Sequence, residues 1–389
     1  MKRVLSTLAV ALGCAAAQAQ PAAPLKIGFI STMSGPSAIL GQDTLDGFNL
    51  GMQSVGGTLG GRTVELVLGD DQLKPDVARQ LADKMVERDR VEFITGTIWS
   101  NVLLAIAKPV LDAGVFLVSP NAGPSQLAGA QCHPQFFATG FQNDTPNEAM
   151  GIYMQKKGYT NVYLMAPNYP AGRDMLAGFK RYFKGNVSAE VYTTLGQLDY
   201  AAELAQLRAK KPSSLYFFIS GGPGMNFVKQ YAQAGLSKDV PMFAPSFSID
   251  QTAIPAIGDA AVGATVSTFW SPDLDSALNR KFVADFEAKY KRTPSPYAAQ
   301  AFDTARIIDA ALKASGGTKD KAAFRKAMEN VKFDSVRGNF KFAPNHFPIQ
   351  DFYLAEVVKN DKGQVLWKTR ELITRDHADS YVSRCSMPQ

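Results

Sequence analysis

The sequence predicts an α/β protein made of two doubly wound lobes laid one after the other. Short, β-rich apolar runs alternate with stretches of helical periodicity nearly from end to end, as parallel βαβ units require. The alternation restarts after Phe141-Gln142-Asn143-Asp144, so a second unit of similar size follows the first. A chain of 389 residues that is 46% hydrophobic and 20% charged gives each unit enough apolar material for its own core and argues against extended disorder.

In the first unit, strands are expected at residues 25–30, 64–69, 91–95 and 115–118, separated by helices at 42–55, 75–88 and 100–112. Pro75 suits a first helical turn, where its missing N–H is not needed. In the second unit, strands at 161–165, 187–192, 215–219 and 240–243 alternate with helices at 145–157, 172–183, 201–209 and 224–234. Three helices then follow, at 276–290, 298–314 and 319–330, without a strand set of their own, and they are expected to return to the first lobe. Strands at 339–342, 352–358 and 365–368 close the chain, with Asp361-Lys362-Gly363 as a turn. The expected organisation is a signal segment over 1–19, a first lobe of 21–140 plus 271–345, and a second of 141–270 plus 346–389.

The signal reading rests on Lys2 and Arg3, an apolar stretch over 4–13, and the small-x-small site Ala17-Gln18-Ala19. Cleavage after Ala19 leaves 370 residues and takes Lys2 and Arg3 from the 41 basic residues, a net charge of +4 against 35 acids. Cys14 offers a lipid-anchor alternative, although Ala11-Leu12-Gly13 lacks a large aliphatic residue three positions before it. The basic residues are scattered, without the aromatic-interleaved stripe of a nucleic-acid binder. Export into an oxidising compartment permits a disulfide between Cys132 and Cys385, which would anchor the polar tail at 381–385. Two unrelated thiols remain the alternative.

In open parallel sheets a ligand lies beyond the carboxyl ends of the strands. The segments there are Ser31 to Ser37, Gly96-Thr97-Ile98-Trp99-Ser100-Asn101, Ser119-Pro120-Asn121-Ala122-Gly123, Pro167-Asn168-Tyr169, Ser220-Gly221-Gly222 and Pro245-Ser246-Phe247-Ser248. Hydroxyls, amides, glycines and aromatics dominate, and charged groups are missing. Catalysis near neutral pH needs a titratable acid, base or activated nucleophile among convergent groups, so this composition points to binding and away from an enzyme. His133, His346 and His377 are isolated, which gives no metal site, and Gly56-Gly57-Thr58-Leu59-Gly60-Gly61 lacks the spacing of a dinucleotide loop, so no cofactor is expected. Ser100 sits between a strand and a helix, where it serves as an N-cap, a ligand contact, or both.

Ile27-Gly28-Phe29 through Met33-Ser34-Gly35-Pro36, Gly61-Arg62-Thr63-Val64-Glu65-Leu66, Gly69-Asp70-Asp71, Gly96-Thr97 with Ser100, and Tyr169-Pro170-Ala171-Gly172-Arg173-Asp174 together resemble periplasmic solute-binding proteins of the branched-chain amino-acid type. The resemblance implies a type I periplasmic binding protein fold: two Rossmann-like lobes joined by a three-crossing hinge, a location in the periplasm, and service as a monomer to an ABC permease and its ATPase subunits. It further implies that Ser100 and the segment Asn121, Ala122 and Gly123 hold a ligand carboxylate. Amino-acid binders carry a hydroxyl residue where this chain has Gly123, and a glutamate for the ligand ammonium at Ser246. Without that charge a buried ammonium is expensive unless Asp250 or Asp303 reaches in. The expected ligand is therefore an aromatic carboxylate walled by Trp99, Tyr169, Phe247 and Tyr297, with Ser220, Gly221 and Ser246 on the second lobe. A branched-chain amino acid, a ligand-sensing role beside a separate receptor, and a secreted hydrolase are the alternatives.

Overall fold

A computed structural model describes residues 23–387, so the expected signal segment lies outside the described residues. The first lobe is built from β1 (Leu25–Ser31), α1 (Ala38–Ser54), β2 (Thr58–Leu59), β3 (Arg62–Asp70), α2 (Pro75–Lys84), β4 (Phe93–Thr95), α3 (Ser100–Asp112), β5 (Phe116–Ser119), α4 (Ser125–Ala128) and β6 (Phe136–Ala138). Its sheet has the order β2-β3-β1-β4-β5-β6, parallel throughout except for the β2–β3 hairpin. Helices cover both faces, which is why β4 and β5 are buried at every residue and read as unbroken apolar runs.

The second lobe contains α5 (Thr145–Lys156), β7 (Asn161–Pro167), α6 (Pro170–Tyr182), β8 (Asn186–Thr193), α7 (Ala201–Lys210), β9 (Ser214–Phe217), α8 (Gly221–Gln233), β10 (Met242–Pro245), α9 (Ile254–Ile257) and β11 (Thr265–Thr268). Then come α10 (Ala277–Tyr290), α11 (Pro296–Ser315), α12 (Lys321–Glu329), β12 (Phe340–Phe342), β13 (Pro348–Lys359) and β14 (Val365–His377). The second sheet runs β12-β13-β11-β10-β9-β7-β8, with β14 also paired to β13. Both sheets reverse strand order beside their first strand, at β1/β4 and at β7/β9, and these switch points form the natural crevice.

Helix α11 packs along α1 in the first lobe because glycines let the backbones touch. A Cβ on Gly47 would stand 2.2 Å from the Ala298 carbonyl oxygen, and one on Gly51 would stand 2.4 Å from that of Phe302. Three differences from the sequence reading stand out. Strands β6 and β11 were not anticipated; each is placed by pairing with strands already in the sheet. The helix expected over 75–88 ends as a π-turn, Met85–Asp89, stopped by Arg90 in the left-handed region at φ 56°. Finally, β12, expected in the first lobe, pairs antiparallel with β13 and so extends the second sheet.

A buried guanidinium ties together the segments that pass between the lobes. Arg337, 1% exposed, donates to the Gly140 carbonyl at 3.0 Å and to Gln350 at 3.1 Å, and its Nε pairs with Asp303 at 2.8 Å. Its charged face lies 5.5 Å from the Phe269 ring and 4.7 Å from the Phe340 ring. Thus the stretches after β6, after β11 and before β12 all meet one side chain. The tail returns to the same region: Tyr381 donates to Asp144 at 2.9 Å, and Cys385 forms a disulfide with Cys132 of the first lobe, with Cα atoms 5.6 Å apart.

Candidate functional site

The loops after β4, β5, β7, β9 and β10 converge on one narrow space between the lobes. Its lining is Ile98, Trp99, Ser100, Asn121, Phe141, Asn143, Tyr169, Ala171, Met175, Phe218, Ser220, Phe247 and Tyr297. No charged side chain is among them. The lobes are in contact around it: the Gly222 N–H donates to the Pro36 carbonyl at 3.1 Å, and Ser125 donates through both its N–H and its hydroxyl to Asp174, at 2.9 and 2.7 Å.

Six aromatic rings form the walls, each held by a neighbour. The Trp99 indole N–H donates to Thr32 at 3.0 Å, and the Thr32 hydroxyl in turn donates to Asp71 at 2.5 Å. Tyr169 lies 6.0 Å from Trp99 and stacks on Phe218 at 6.3 Å, centroid to centroid. Opposite them Phe247 stacks on Phe141 at 4.5 Å and meets Tyr297 edge-on at 5.4 Å. Burial pushes the phenols of Tyr169 and Tyr297 well above the usual tyrosine range, which keeps them neutral donors.

Three helices begin at this space without a side chain capping their first turn: α3 at Ser100, α6 after Tyr169 and α8 after Ser220. Their N-terminal N–H groups and dipoles favour an anion. Ser100 accepts a hydrogen bond from Asn143 Nδ2 at 3.1 Å, which leaves its own hydrogen for the cavity. Asn121 braces the floor, donating to the Ile98 carbonyl at 2.7 Å and accepting from Gln300 at 2.7 Å.

Of the residues singled out from sequence, Trp99, Ser100, Asn121, Tyr169, Ser220, Phe247 and Tyr297 line the cavity, whereas Ala122, Gly123, Gly221 and Ser246 are not among its lining. The Ala122 N–H is spent on the Thr97 carbonyl at 3.3 Å. Gly123 is a glycine because a Cβ there would stand 2.0 Å from the Phe141 carbonyl oxygen, and its N–H goes to Asn143 at 3.2 Å. Gly221 faces Ser37 across the lobe contact. In the tight turn after β10, Phe247 takes the position facing the cavity, and the buried Ser246 hydroxyl has no hydrogen-bond partner among the described residues. Phe141, Asn143, Phe218, Ile98, Ala171 and Met175 were missed. Phe141 and Asn143 stand in the very segment that marked the boundary between units, and a hinge segment flanking a cleft was the available signal.

Neither acid considered for an ammonium reaches the cavity lining. Asp303 is consumed by Arg337 and by Ser335 at 2.6 Å. Burial pushes Asp250 up to about 7, and its Oδ1 accepts from Thr252 N–H at 2.7 Å and hydroxyl at 2.5 Å. Among the described residues no helix is long and apolar enough to cross a membrane.

The sequence matches the periplasmic binding protein family over residues 24–364. The chain belongs to that family. Among its relatives is a Leu/Ile/Val-binding protein homolog of Brucella melitensis, 29% identical, with 93% of this chain and 95% of the relative covered. Among solved structures, this periplasmic binding protein is similar to an ABC-transporter solute-binding protein of R. palustris in complex with benzoate, at 34% identity and a TM-score of 0.86, covering 92% of this chain and 99% of that one. A second R. palustris solute-binding protein, in complex with 4-hydroxybenzoate, has 26% identity and a TM-score of 0.86, with 91% and 98% covered. These relatives are solute-binding proteins and not enzymes, in keeping with a cavity that brings together no acid, base and nucleophile.

Proposed function

We propose that this periplasmic binding protein is the substrate-binding component of an ABC importer, exported through a cleaved signal segment, which closes two lobes on an aromatic carboxylate and presents it to a permease. The first lobe in this reading is residues 21–140 with 271–339, and the second is 141–270 with the remainder. The observation that carries the ligand class is the lining itself: six rings, neutral hydroxyl and amide donors, three helix N-termini, and no charged side chain. Buried donors and helix dipoles stabilise an anion without a fixed counter-charge, whereas an α-amino acid would leave its ammonium unpaired. Solved relatives in complex with benzoate and 4-hydroxybenzoate lend support.

The test is to denature the purified protein and weigh the small molecules it releases. A benzoate-type acid at near-equimolar amount is the expected result. A branched-chain amino acid in that position would overturn the ligand assignment and return attention to Asp250 as an ammonium partner.

A further inference from the structure

We infer that Asn143 and Asp174 are positioning residues which link the orientation of the Ser100 donor to closure of the lobes, an inference that rests on the carboxylate reading above. Asn143 is buried on the first segment crossing between the lobes. Every polar atom of its amide is engaged: Oδ1 accepts from Gly123 N–H at 3.2 Å, and Nδ2 donates to Ser100 at 3.1 Å and to Asp174 at 3.0 Å. These partners fix which end is which. Turning the amide over would set its oxygen against the Asp174 carboxylate and its NH₂ against the Gly123 N–H. Ser100 is therefore held as an acceptor toward Asn143, and its hydrogen is directed to the ligand. A carboxylate can accept that hydrogen and an ammonium cannot.

Asp174 belongs to α6 of the second lobe, yet both its oxygens are satisfied from the first: Oδ1 by the Ser125 hydroxyl at 2.7 Å and Oδ2 by the Ser125 N–H at 2.9 Å. When the lobes part, Asp174 leaves with the second lobe, and Asn143 keeps only the Gly123 N–H to fix its orientation. The amide that orients Ser100 is thus held from both its ends only in the closed form, so ligand binding and closure favour each other by the same factor. Ser125 does not line the cavity, which makes it a probe of the latch that leaves the ligand contacts in place.

Calorimetry with benzoate on Ser125→Ala, Ser100→Ala and the double variant tests the link, with small-angle scattering of ligand-free wild type and Asp174→Asn beside it. Ser125→Ala is expected to weaken binding about two- to tenfold, the range for one lost hydrogen bond, and to lose most of that effect in the Ser100→Ala background. Equal losses in both backgrounds, or none in the first, would overturn the link to Ser100. If wild type binds no aromatic acid, the ligand reading has failed, and scattering decides the latch separately. A larger radius of gyration for Asp174→Asn supports it, and curves identical to wild type at matched melting temperature overturn it.

Discussion

Replacing Ser100 by alanine separates two roles that one hydroxyl fills in the structure. Its hydrogen faces the cavity, and its lone pair receives Asn143 Nδ2 at 3.1 Å in a site where Ser100 is 1% exposed. The first role concerns only the bound state. Losing a donor to a charged acceptor costs about 1 to 2 kcal/mol, or roughly five- to thirtyfold in affinity. The second concerns free and bound protein alike, because Asn143 is left with a buried, unsatisfied hydrogen in both. That costs about 1 to 3 kcal/mol of stability and lowers the melting temperature by several degrees without entering the affinity. Titration calorimetry with benzoate and differential scanning calorimetry of the ligand-free variant read the two terms apart. An unchanged affinity with a lowered melting temperature would refute the donor role and leave Ser100 a purely structural residue.

Three further outcomes follow from the same geometry. Arg337→Met strands Asp303 as a buried charge and is expected to cost about 3 to 5 kcal/mol in denaturant unfolding, most of it regained when Asp303 is made leucine as well. A melting curve unmoved by the single change would contradict the role of that pair in the hinge. For Asp250, burial pushes the folded carboxyl up to about 7 from its ordinary value of 3.8, so the folded state holds the proton more tightly. Its stabilising contribution is therefore present at low pH and is lost as pH rises through that window, by an upper bound on the order of 4 kcal/mol. Asp250→Asn should flatten the stability profile between pH 4 and 7, and a profile unchanged from wild type would count against the shift. Reduction of Cys132–Cys385, which closes a loop of sequence separation 253, should lower unfolding free energy by up to about 5 kcal/mol on the chain-entropy account; free thiols in the unreduced, unfolded protein would remove the bridge.

Much of this architecture was legible because long elements advertise their period. Helix α3 runs over Ser100–Asp112 as its apolar spacing indicates, and β1, β3, β7 and β8 fall within a few residues of their expected limits. Strands β6 and β11 were not legible; they owe their existence to neighbours already in the sheet. In the site, residues following an anticipated strand were found, as with Trp99, Ser100 and Tyr169. Adjacent residues in tight turns were not sorted, since Ser246 and Phe247, or Asn121 and Ala122, differ only in which way the backbone turns them. Gly123 illustrates the deeper limit. Its identity is dictated by the carbonyl of Phe141, a contact between the two segments that flank β6, and composition carries no trace of it.

The central claim is that this cavity selects a flat anion over an amino-acid zwitterion. Calorimetry of protein freed of ligand by unfolding and refolding, titrated in parallel with benzoate, 4-hydroxybenzoate, leucine, isoleucine and valine, tests it most directly. The account predicts saturable binding of at least one aromatic acid and no heat from the three amino acids. Tight binding of leucine, isoleucine or valine with silence toward the aromatic acids would contradict it.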